Sequence, residues 1–229
     1  MPPCFRRVWD RLSIIERGGT KDALMTLAVL GTGRFGGQLV RALARAGHRV
    51  LAGTRSPLKS ENQSLSQDTG APLLSLSGAA AQAEVVFLAL PWTETLGVLR
   101  GLDLRGKIVV DCTNPIDRSG LTLGPGTSAG EEVAKACPGA RVVKGFNGVG
   151  SELLLDPVVE GQAAHVLLAS DDRPAMGVVA GIAQSLGFEA QEAGALENAR
   201  LLEALALLWI RLSFQAGLGP RVALRVLRP

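Results

Sequence analysis

Residues 26–57 read TLAVLGTGRFGGQLVRALARAGHRVLAGTRSP, and they carry the clearest pattern of secondary structure in the chain. An apolar run ends in glycine, a segment with helical spacing follows over 34–47, and a second apolar run covers 48–54. This order predicts two parallel strands joined by a right-handed helical crossover. The turn between the first strand and the helix reads GTGRFG (31–36), which has the spacing G-x-G-x-x-G. The spacing is informative here because it follows a predicted strand and opens a predicted helix.

Each glycine of this motif has its own physical task. Gly31 permits the tight turn out of the strand, and Gly33 lets a pyrophosphate approach the backbone. Gly36 allows the helix to pack close to the strand. Free N–H groups at the start of the helix then favour an anionic ligand. We therefore predict a dinucleotide site, the alternative being a glycine-rich turn without a ligand.

The second strand ends in LAGTRSPLK (51–59). NAD-binding proteins of this kind carry an Asp or Glu about 20 residues after the first glycine, which binds the ribose 2′-hydroxyl. The residues found here are two hydroxyl donors and two cations: Thr54, Arg55, Ser56 and Lys59. Arg55 can fork onto a 2′-phosphate, which a carboxylate would repel. We therefore predict NADP(H) rather than NAD(H), the alternative being that Arg55 is an ordinary solvated residue.

The rest of the chain continues the alternation of strands and helices. Further strands are predicted over 72–76, 84–91, 107–115, 140–146, 161–170 and 188–194. Further helices are predicted over 78–83, 93–102, 129–137, 173–187 and 196–215, with a weakly patterned helix over 56–70, a loop over 116–128 and a short terminal helix over 217–227. The predicted fold class is α/β, a Rossmann-type doubly wound parallel sheet with a small C-terminal helical portion.

We divide the chain into three parts. Residues 1–24 are predicted to be an N-terminal appendage, residues 25–150 an NADP-binding Rossmann domain, and residues 151–229 a small C-terminal α/β portion. Met25 stands directly before the first strand, so it is a second candidate for the start of translation.

Composition narrows the class of protein. Apolar residues make up 47% of 229, which is enough for a full core, and the net charge is only +3. We expect no nucleic-acid partner, because cations interleaved with aromatics are missing, and no membrane span, because no apolar run reaches about 18 residues. Three cysteines and two histidines at these spacings fit neither a disulfide framework nor a metal site. We therefore expect a reducing, cytoplasmic location.

The residues at the carboxyl ends of the strands are the candidates for ligand binding, because ligands of doubly wound folds lie beyond those ends. The fourth predicted strand runs into Leu90, Pro91 and Trp92, which can wall a cofactor, although Trp92 can equally pack in the core. The fifth runs into Thr113 and Asn114, short hydrogen-bonding side chains at the position where a nicotinamide would lie.

The sequence offers no catalytic acid–base pair, so the catalytic residues stay unknown. His48 and His165 lie away from the carboxyl ends of the strands and are predicted to be structural. Asp111 is predicted to bond locally and Cys112 to be a small buried hydrophobe. Hydride transfer between two flat redox cofactors needs orientation and exclusion of water more than a protein nucleophile. Reduction of a ketone or imine would instead want a proton donor.

Several segments together resemble the NADP oxidoreductase, coenzyme F420-dependent family, which includes F420H2:NADP+ reductases and has the cytosolic domain of Steap metalloreductases as a relative. The segments are LAVLGTGRFGGQLVRALARAGHRVLAGTRSP, LALPW, KIVVDCTNP, VVKGFN and AGALENARLLEALALLWIRLSFQAGLG. The resemblance covers residues 25–229. The glycine motif is shared with many dehydrogenases, whereas GTRSP, LPW and the long C-terminal helix in combination are more specific.

The resemblance implies a homodimer and direct hydride transfer between NADPH and a deazaflavin or flavin stacked on the nicotinamide. It implies a phosphate loop formed by Thr32, Arg34 and Phe35. It implies a 2′-phosphate site formed by Thr54, Arg55, Ser56 and Lys59. It also implies a wall near the ribose and nicotinamide formed by Leu90, Pro91 and Trp92. Archaeal reductases have a histidine near the deazaflavin where this chain has Asn147. The VVKGFN segment is closer to the Steap pattern, but no transmembrane haem domain follows, so we do not expect membrane ferric reduction.

The expected function is that of an NADPH-dependent oxidoreductase that passes hydride between NADP(H) and a deazaflavin (F420) or a flavin, with the redox cofactor as second substrate. Two alternatives remain open. One is an NADP-dependent reductase of a small imine or ketone, and the other is a non-catalytic NADPH-binding module.

Overall fold

The computed structural model describes residues 25–227, so the predicted appendage over 1–24 lies outside the described residues. Six parallel strands form the main sheet: β1 (Thr26–Leu30), β2 (Arg49–Gly53), β3 (Leu73–Leu74), β4 (Val85–Leu88), β5 (Ile108–Asp111) and β6 (Arg141–Lys144). Their order across the sheet is β3-β2-β1-β4-β5-β6. The order reverses between β1 and β4, and in doubly wound folds such a reversal opens a ligand crevice at the carboxyl edge.

Seven α-helices accompany the sheet within the described range. They are α1 (Arg34–Arg45), α2 (Ser60–Thr69), α3 (Leu76–Gln82), α4 (Trp92–Leu99), α5 (Ala129–Ala136), α6 (Arg173–Ser185) and α7 (Ala199–Ile210). Short 3-10 turns cover Ser151–Leu153 and Leu196–Asn198, and α7 continues as a π-helical turn over Arg211–Gln215. None of the helices within 25–227 is long and apolar enough to cross a membrane.

Both faces of the sheet are covered by helices. Along β1, Leu27 belongs to one buried cluster with Leu39 of α1, whereas Ala28 belongs to a second buried cluster with Ala79 of α3. Successive residues of a strand point to opposite faces, so the two clusters lie on opposite sides of the sheet. The predicted doubly wound α/β fold is therefore confirmed.

The C-terminal portion extends one of these clusters. Two parallel strands, β7 (His165–Leu168) and β8 (Glu189–Glu192), flank α6, and Ala169 exchanges two backbone hydrogen bonds with Lys144 at the end of β6. Val166 and Val179 belong to the same buried cluster as Val143 of β6. The core thus runs on across residue 150, and the division of the chain at that residue stays a prediction.

The predicted terminal helix over 217–227 is wrong. Gly217 and Gly219 adopt positive φ angles of 77° and 82°, and Pro220 follows them. The chain beyond has no regular secondary structure and is held by the hydrogen bond from the Trp209 indole to the Val222 carbonyl, 2.7 Å. The His165 backbone N–H also donates to the Leu224 carbonyl. Tertiary hydrogen bonds to this segment therefore replace the helical ones.

Two other segments are more regular than their composition suggested. The predicted loop over 116–128 begins with a small antiparallel hairpin that pairs Ile116–Asp117 with Gly120–Leu121. Its turn is closed by the Asp117 carboxylate, which accepts from the Ser119 backbone N–H at 2.7 Å. Within the weakly patterned segment over 56–70, Ser60–Thr69 form the helix α2, which is capped by Gly70 in a left-handed conformation.

Candidate functional site

A groove of about 810 Å³ lies at the carboxyl edge of the sheet, along the β1 turn, the end of β2 and the start of α2. It is lined by ten of the residues singled out from the sequence: Gly31, Thr32, Gly33, Arg34, Thr54, Arg55, Ser56, Lys59, Leu90 and Pro91. Its volume is in the range of sites that enclose a small ligand. Residues that are 60 positions apart in the chain are thus brought to one surface.

The glycine turn divides into two packing positions and one open position. A Cβ on Gly31 would lie 2.3 Å from the Ala89 carbonyl oxygen, and its φ is 107°. A Cβ on Gly36 would lie 1.9 Å from the Gly31 carbonyl oxygen, so this glycine lets α1 pack on the strand. A Cβ on Gly33 would meet no described protein atom within 4 Å. Gly33 therefore leaves room on the groove side, as a dinucleotide pyrophosphate requires.

The start of α1 is suited to an anion. Gly33 occupies the cap position without a side-chain hydrogen bond, and the first turn carries no acidic residue within the described chain. Uncapped N–H groups and the helix dipole both favour negative charge at that point. Phe35, the remaining residue of the predicted phosphate loop, is half-buried and packs against the core cluster beneath α1.

Thr54 is the centre of a hydrogen-bond network at the end of β2. Its hydroxyl oxygen lies 3.2 Å from three donors: the Thr32 hydroxyl, the Ser56 backbone N–H and the Asn62 amide. Asn62 is only 5% exposed and also donates to the Ser56 carbonyl at 2.7 Å. A buried amide on α2 therefore fixes the Thr54–Arg55–Ser56 turn in place.

The two arginines of the predicted phosphate sites each pair with a glutamate. Arg55 Nη2 lies 2.6 Å from Glu94 Oε2 on α4, and Arg34 forms an ion pair with Glu152 in the 3-10 turn. Both arginines are exposed, with 64% and 71% of their side-chain surface accessible. Exposed pairs of this kind are weak, so an incoming phosphate can displace the carboxylates.

The wall residues differ in where they point. Leu90 and Pro91 line the groove, and both are in part accessible. Trp92 opens α4, does not line the groove, and packs against the buried cluster that contains Ala28 and Ala79, as Leu90 also does. The structure thus gives Trp92 the core contact that was its alternative role.

Two asparagines face each other at the ends of β5 and β6. The Asn147 amide donates to Asn114 Oδ1 at 3.0 Å, and the Asn114 amide donates to the Asn147 carbonyl at 2.8 Å. Asn147 also donates to the Leu202 carbonyl of α7 at 3.0 Å. Neither lines the groove; the pair lies further along the carboxyl edge of the sheet.

The residue before Asn147 has an unusual backbone. Phe146 adopts a φ of 61°, a left-handed conformation that bulky residues seldom take. Its ring is buried and makes edge-to-face contacts with Phe87 and Phe188, with centroids 5.9 Å and 6.1 Å apart. Such conformations persist where the surroundings enforce them, and they concentrate at functional sites.

A buried ion cluster lies directly beneath the asparagines. Lys144 Nζ is 2.8 Å from Asp111 Oδ2 and 2.7 Å from Glu203 Oε1, and it donates to the Thr113 carbonyl at 2.6 Å. Lys144 and Asp111 are fully buried and Glu203 is nearly so. Asp111 Oδ1 accepts from both the hydroxyl and the backbone N–H of Thr113, at 2.7 Å and 2.9 Å. Thr113 is thus held from three sides.

The pKa directions in this cluster follow from burial and pairing. Burial raises the pKa of Glu203, and the neighbouring Lys144 ammonium offsets only part of that effect. Burial alone would lower the pKa of Lys144, but the Asp111 and Glu203 carboxylates outweigh it and raise that pKa. Lys144 is therefore charged at neutral pH and its three N–H groups are all donated, so it has no proton to offer the groove.

The histidines and cysteines of the described chain make structural contacts. His48 lies 2.7 Å from the Ser185 hydroxyl, and His165 lies 2.9 Å from Glu189 and accepts from the Val226 backbone. Burial strongly raises the pKa of the Cys112 thiol, so it is not a nucleophile. Among residues 25–227, no group of three or more His, Cys, Asp or Glu is placed to hold a metal ion.

Sequence reasoning missed several residues of the site. Arg41 and Asn62 line the groove, Glu94 pairs with the predicted phosphate arginine, and Lys144 and Glu203 form the buried cluster. One signal was present: Lys144 lies in an apolar strand and Glu203 on the apolar face of a helix. Two opposite charges at otherwise buried positions are tolerated chiefly as partners. For Asn62 and Glu94 no such signal exists.

A glycine-rich strand–turn–helix beside a cationic groove, at the switch point of a parallel sheet, defines a Rossmann-type dinucleotide-binding protein. The model of the family "NADP oxidoreductase coenzyme F420-dependent" matches residues 26–115. An F420-dependent NADP reductase of Methanothermobacter thermautotrophicus is 34% identical over 215 residues, which cover 85% of this chain and 92% of that protein. The chain therefore belongs to this family of oxidoreductases.

Other relatives agree with this assignment. A crystal structure of a candidate F420-dependent NADP reductase from Arthrobacter sp. FB24 superposes with a TM-score of 0.81 at 31% identity, covering 89% of this chain and all of the other. Metalloreductase STEAP3 of Rattus norvegicus is 31% identical over 79% of this chain, which corresponds to 36% of that protein. A reductive aminase from Aspergillus terreus, at 19% identity and a TM-score of 0.65, shares the fold.

Proposed function

We propose that the groove binds NADP(H) and that the protein transfers hydride between NADP(H) and a deazaflavin of the F420 type or a flavin. The observation that carries the proposal is the end of β2, where Thr54, Arg55 and Ser56 stand in place of a carboxylate. Membership of a family named for NADP and coenzyme F420 supports it independently.

The groove residues suit the phosphates of the cofactor. Gly33 and the uncapped start of α1 offer space and N–H groups for the pyrophosphate, with Arg34 beside them. Thr54, Arg55, Ser56 and Lys59 supply hydroxyls and positive charge for a 2′-phosphate. Leu90 and Pro91 close the groove from the side of β4, and Phe35 and Trp92 pack against the core behind it. Gly31 and Gly36 let the turn and α1 approach the neighbouring backbone closely.

The far end of the site suits hydride chemistry. When bound, the nicotinamide supplies or accepts the hydride, and the chain must orient the rings and keep water out. We propose that Thr113, Asn114 and Asn147 do this orienting, because their amides and backbone are fixed by mutual hydrogen bonds. Imine or ketone reduction would also need a proton donor, which the buried and saturated Lys144 does not provide.

The test is anaerobic stopped-flow oxidation of NADPH with deazaflavin, FMN and FAD offered separately. Rapid bleaching of NADPH with one of them, and much slower bleaching of NADH, is the expected result. Tight NADPH binding without turnover of any acceptor would favour the non-catalytic binding module. Turnover of a cyclic imine but no flavin-type ring would favour the imine reductase instead.

We also propose the expected homodimer and cytoplasmic location. Leu201, Leu208, Phe214 and Leu218 expose between 49% and 68% of their surface on α7 and just after it, and a second copy can cover such apolar side chains. Light scattering after size exclusion should give a dimer, and Leu208→Glu should give a monomer. A monomeric unmodified protein contradicts the proposed homodimer.

The proposed cytoplasmic location has its own support. The buried free thiols of Cys112 and Cys137 suit a reducing compartment.

A further inference from the structure

Lys144 is a fully buried cation, and it takes no chemical step in the proposed hydride transfer. Its ammonium group reaches two carboxylates and one carbonyl, all within 2.8 Å: Asp111, Glu203 and Thr113. Three contacts use all three of its N–H groups, so proton donation is closed to it. What remains is a role in holding other groups in place.

The groups it holds are those at the hydride end of the site. The Thr113 carbonyl that Lys144 binds lies one residue before Asn114, and Asn114 bonds reciprocally with Asn147. Asn147 in turn donates to the Leu202 carbonyl, next to Glu203 on α7. Two adjacent residues of α7 therefore hold the asparagine pair. Leu202 accepts from Asn147 through its carbonyl, and Glu203 pairs with Lys144, which binds the Thr113 carbonyl next to Asn114.

Glu203 extends the arrangement to another helix. Its carboxylate accepts from the backbone N–H groups of Ala129 and Gly130 at the start of α5, at 3.1 Å and 3.2 Å. The cluster has one cation and two carboxylates, and these helix N–H groups help to balance the second carboxylate. A buried ion cluster adds little stability in general, but it admits few alternative arrangements.

We propose that Lys144 is a positioning residue for hydride transfer: by joining the Thr113 carbonyl to Glu203 it fixes Asn114 and Asn147 relative to α7. The proposal rests on the proposed function for the nature of the reaction, while the positioning itself is a property of the chain. It predicts that loss of the cation disturbs the hydride end of the site and spares the phosphate groove, where Thr54 and Asn62 form a separate network.

A matched control exists in the same part of the molecule. Arg200 on α7 forms a two-pronged ion pair with Glu131 on α5, at 2.6 Å and 2.8 Å, and this pair also ties the two helices together. It touches neither Thr113 nor the asparagines. Lys144→Met and Arg200→Met thus each remove a cation whose ion pair involves α7, but only the first removes the contact to the Thr113 carbonyl.

Three quantities are measured for both variants: the NADPH dissociation constant, the single-turnover hydride-transfer rate at saturating NADPH and deazaflavin, and amide hydrogen exchange of residues 112–116. For Lys144→Met we expect a rate at least about tenfold lower, since small misplacements of reacting groups are costly, with a dissociation constant changed less than about threefold. Exchange of residues 112–116 should accelerate. Arg200→Met should leave all three within about twofold, because it breaks a partly accessible ion pair that makes no contact with Thr113, Asn114 or Asn147.

Several results would overturn the proposal. They are an unchanged rate in Lys144→Met, parallel losses of rate and NADPH affinity, or an equal rate loss in Arg200→Met. Should the unmodified protein transfer no hydride to any acceptor, the proposed function fails, and hydrogen exchange alone decides the positioning role: unchanged exchange of residues 112–116 in Lys144→Met overturns it. If Lys144→Met does not fold, Glu203→Gln keeps the volume and must show the same pattern in milder form.

Discussion

Replacement of Arg55 by alanine tests the NADP(H) site most sharply. Arg55 is 64% exposed and pairs with Glu94 at 2.6 Å, so the phosphate must displace that carboxylate before it binds. Hydrogen bonds between charged groups contribute about 1.5–3 kcal/mol, and an exposed ion pair costs about 0–1 kcal/mol to break. The difference predicts that Arg55→Ala weakens NADPH binding by about 0.5–3 kcal/mol, which is roughly 2- to 150-fold in Kd.

Glu94 supplies the complementary variant. With Arg55 free of its partner, Glu94→Gln should tighten NADPH by no more than about 1 kcal/mol, or up to roughly fivefold in Kd. NADH has no 2′-phosphate, so its Kd should stay within about twofold in either variant. NADPH affinity should thus fall in Arg55→Ala and rise in Glu94→Gln. General damage to the groove would instead lower NADPH affinity in both variants.

Isothermal titration of both cofactors is the assay, with Arg100→Ala as the control because Arg100 is exposed at the far end of α4 and does not line the groove. Equal weakening of NADPH and NADH by Arg55→Ala would refute the assignment of the 2′-phosphate to this end of the groove. So would an unchanged NADPH affinity in that variant.

Three further predictions concern the glycine turn, the buried amide of Asn62 and the stability of the fold at acidic pH. Gly33→Val should fold normally yet weaken the binding of NADPH and NADH alike in titrations, because the new side chain meets no described protein atom but fills the groove side. Gly36→Ala should instead lower the melting temperature, because its Cβ would lie 1.9 Å from the Gly31 carbonyl oxygen. Asn62→Leu leaves Thr54 and the Ser56 carbonyl without their buried partner, and should lower stability by about 1–3 kcal/mol in urea unfolding and weaken NADPH more than NADH. Arg141 holds the pKa of Asp172 at about 2, below its ordinary 3.8, so the folded state gains stability above about pH 4 and loses it toward pH 2. The melting-temperature gap between the unmodified protein and Asp172→Asn should therefore be constant above pH 5 and shrink below pH 4, and a constant gap down to pH 3 would contradict this.

The architecture followed from patterns that are local in the sequence. The strand–glycine turn–helix over 26–45 and the buried runs of β4 and β5 each carry their own signal, because burial on both faces leaves an unbroken apolar stretch. The terminal helix over 217–227 failed for the opposite reason. The helical spacing of its apolar residues is outweighed by two glycines at positive φ and by the tertiary hydrogen bonds to Trp209 and His165.

The site divides in the same way. Thr54, Arg55 and Ser56 could be assigned from spacing because the glycine motif fixes the distance to the end of the second strand. Asn62, which lines the groove, and Glu94, which pairs with Arg55, could not, since both stand on helices whose orientation is set by packing. Asp111, Lys144 and Glu203 are far apart in sequence and meet only through the order of β5 and β6 and the return of α7.

Direct hydride transfer between NADPH and a deazaflavin or flavin ring can be followed with an isotope. The most direct measurement uses NADPH carrying deuterium in turn on each face of the nicotinamide C4, followed by mass spectrometry of the reduced deazaflavin. Deuterium from one face only should appear in the deazaflavin, and deuterium on the other face should be retained in NADP+. Deuterium from both faces, or none in the deazaflavin while NADPH is consumed, would contradict it.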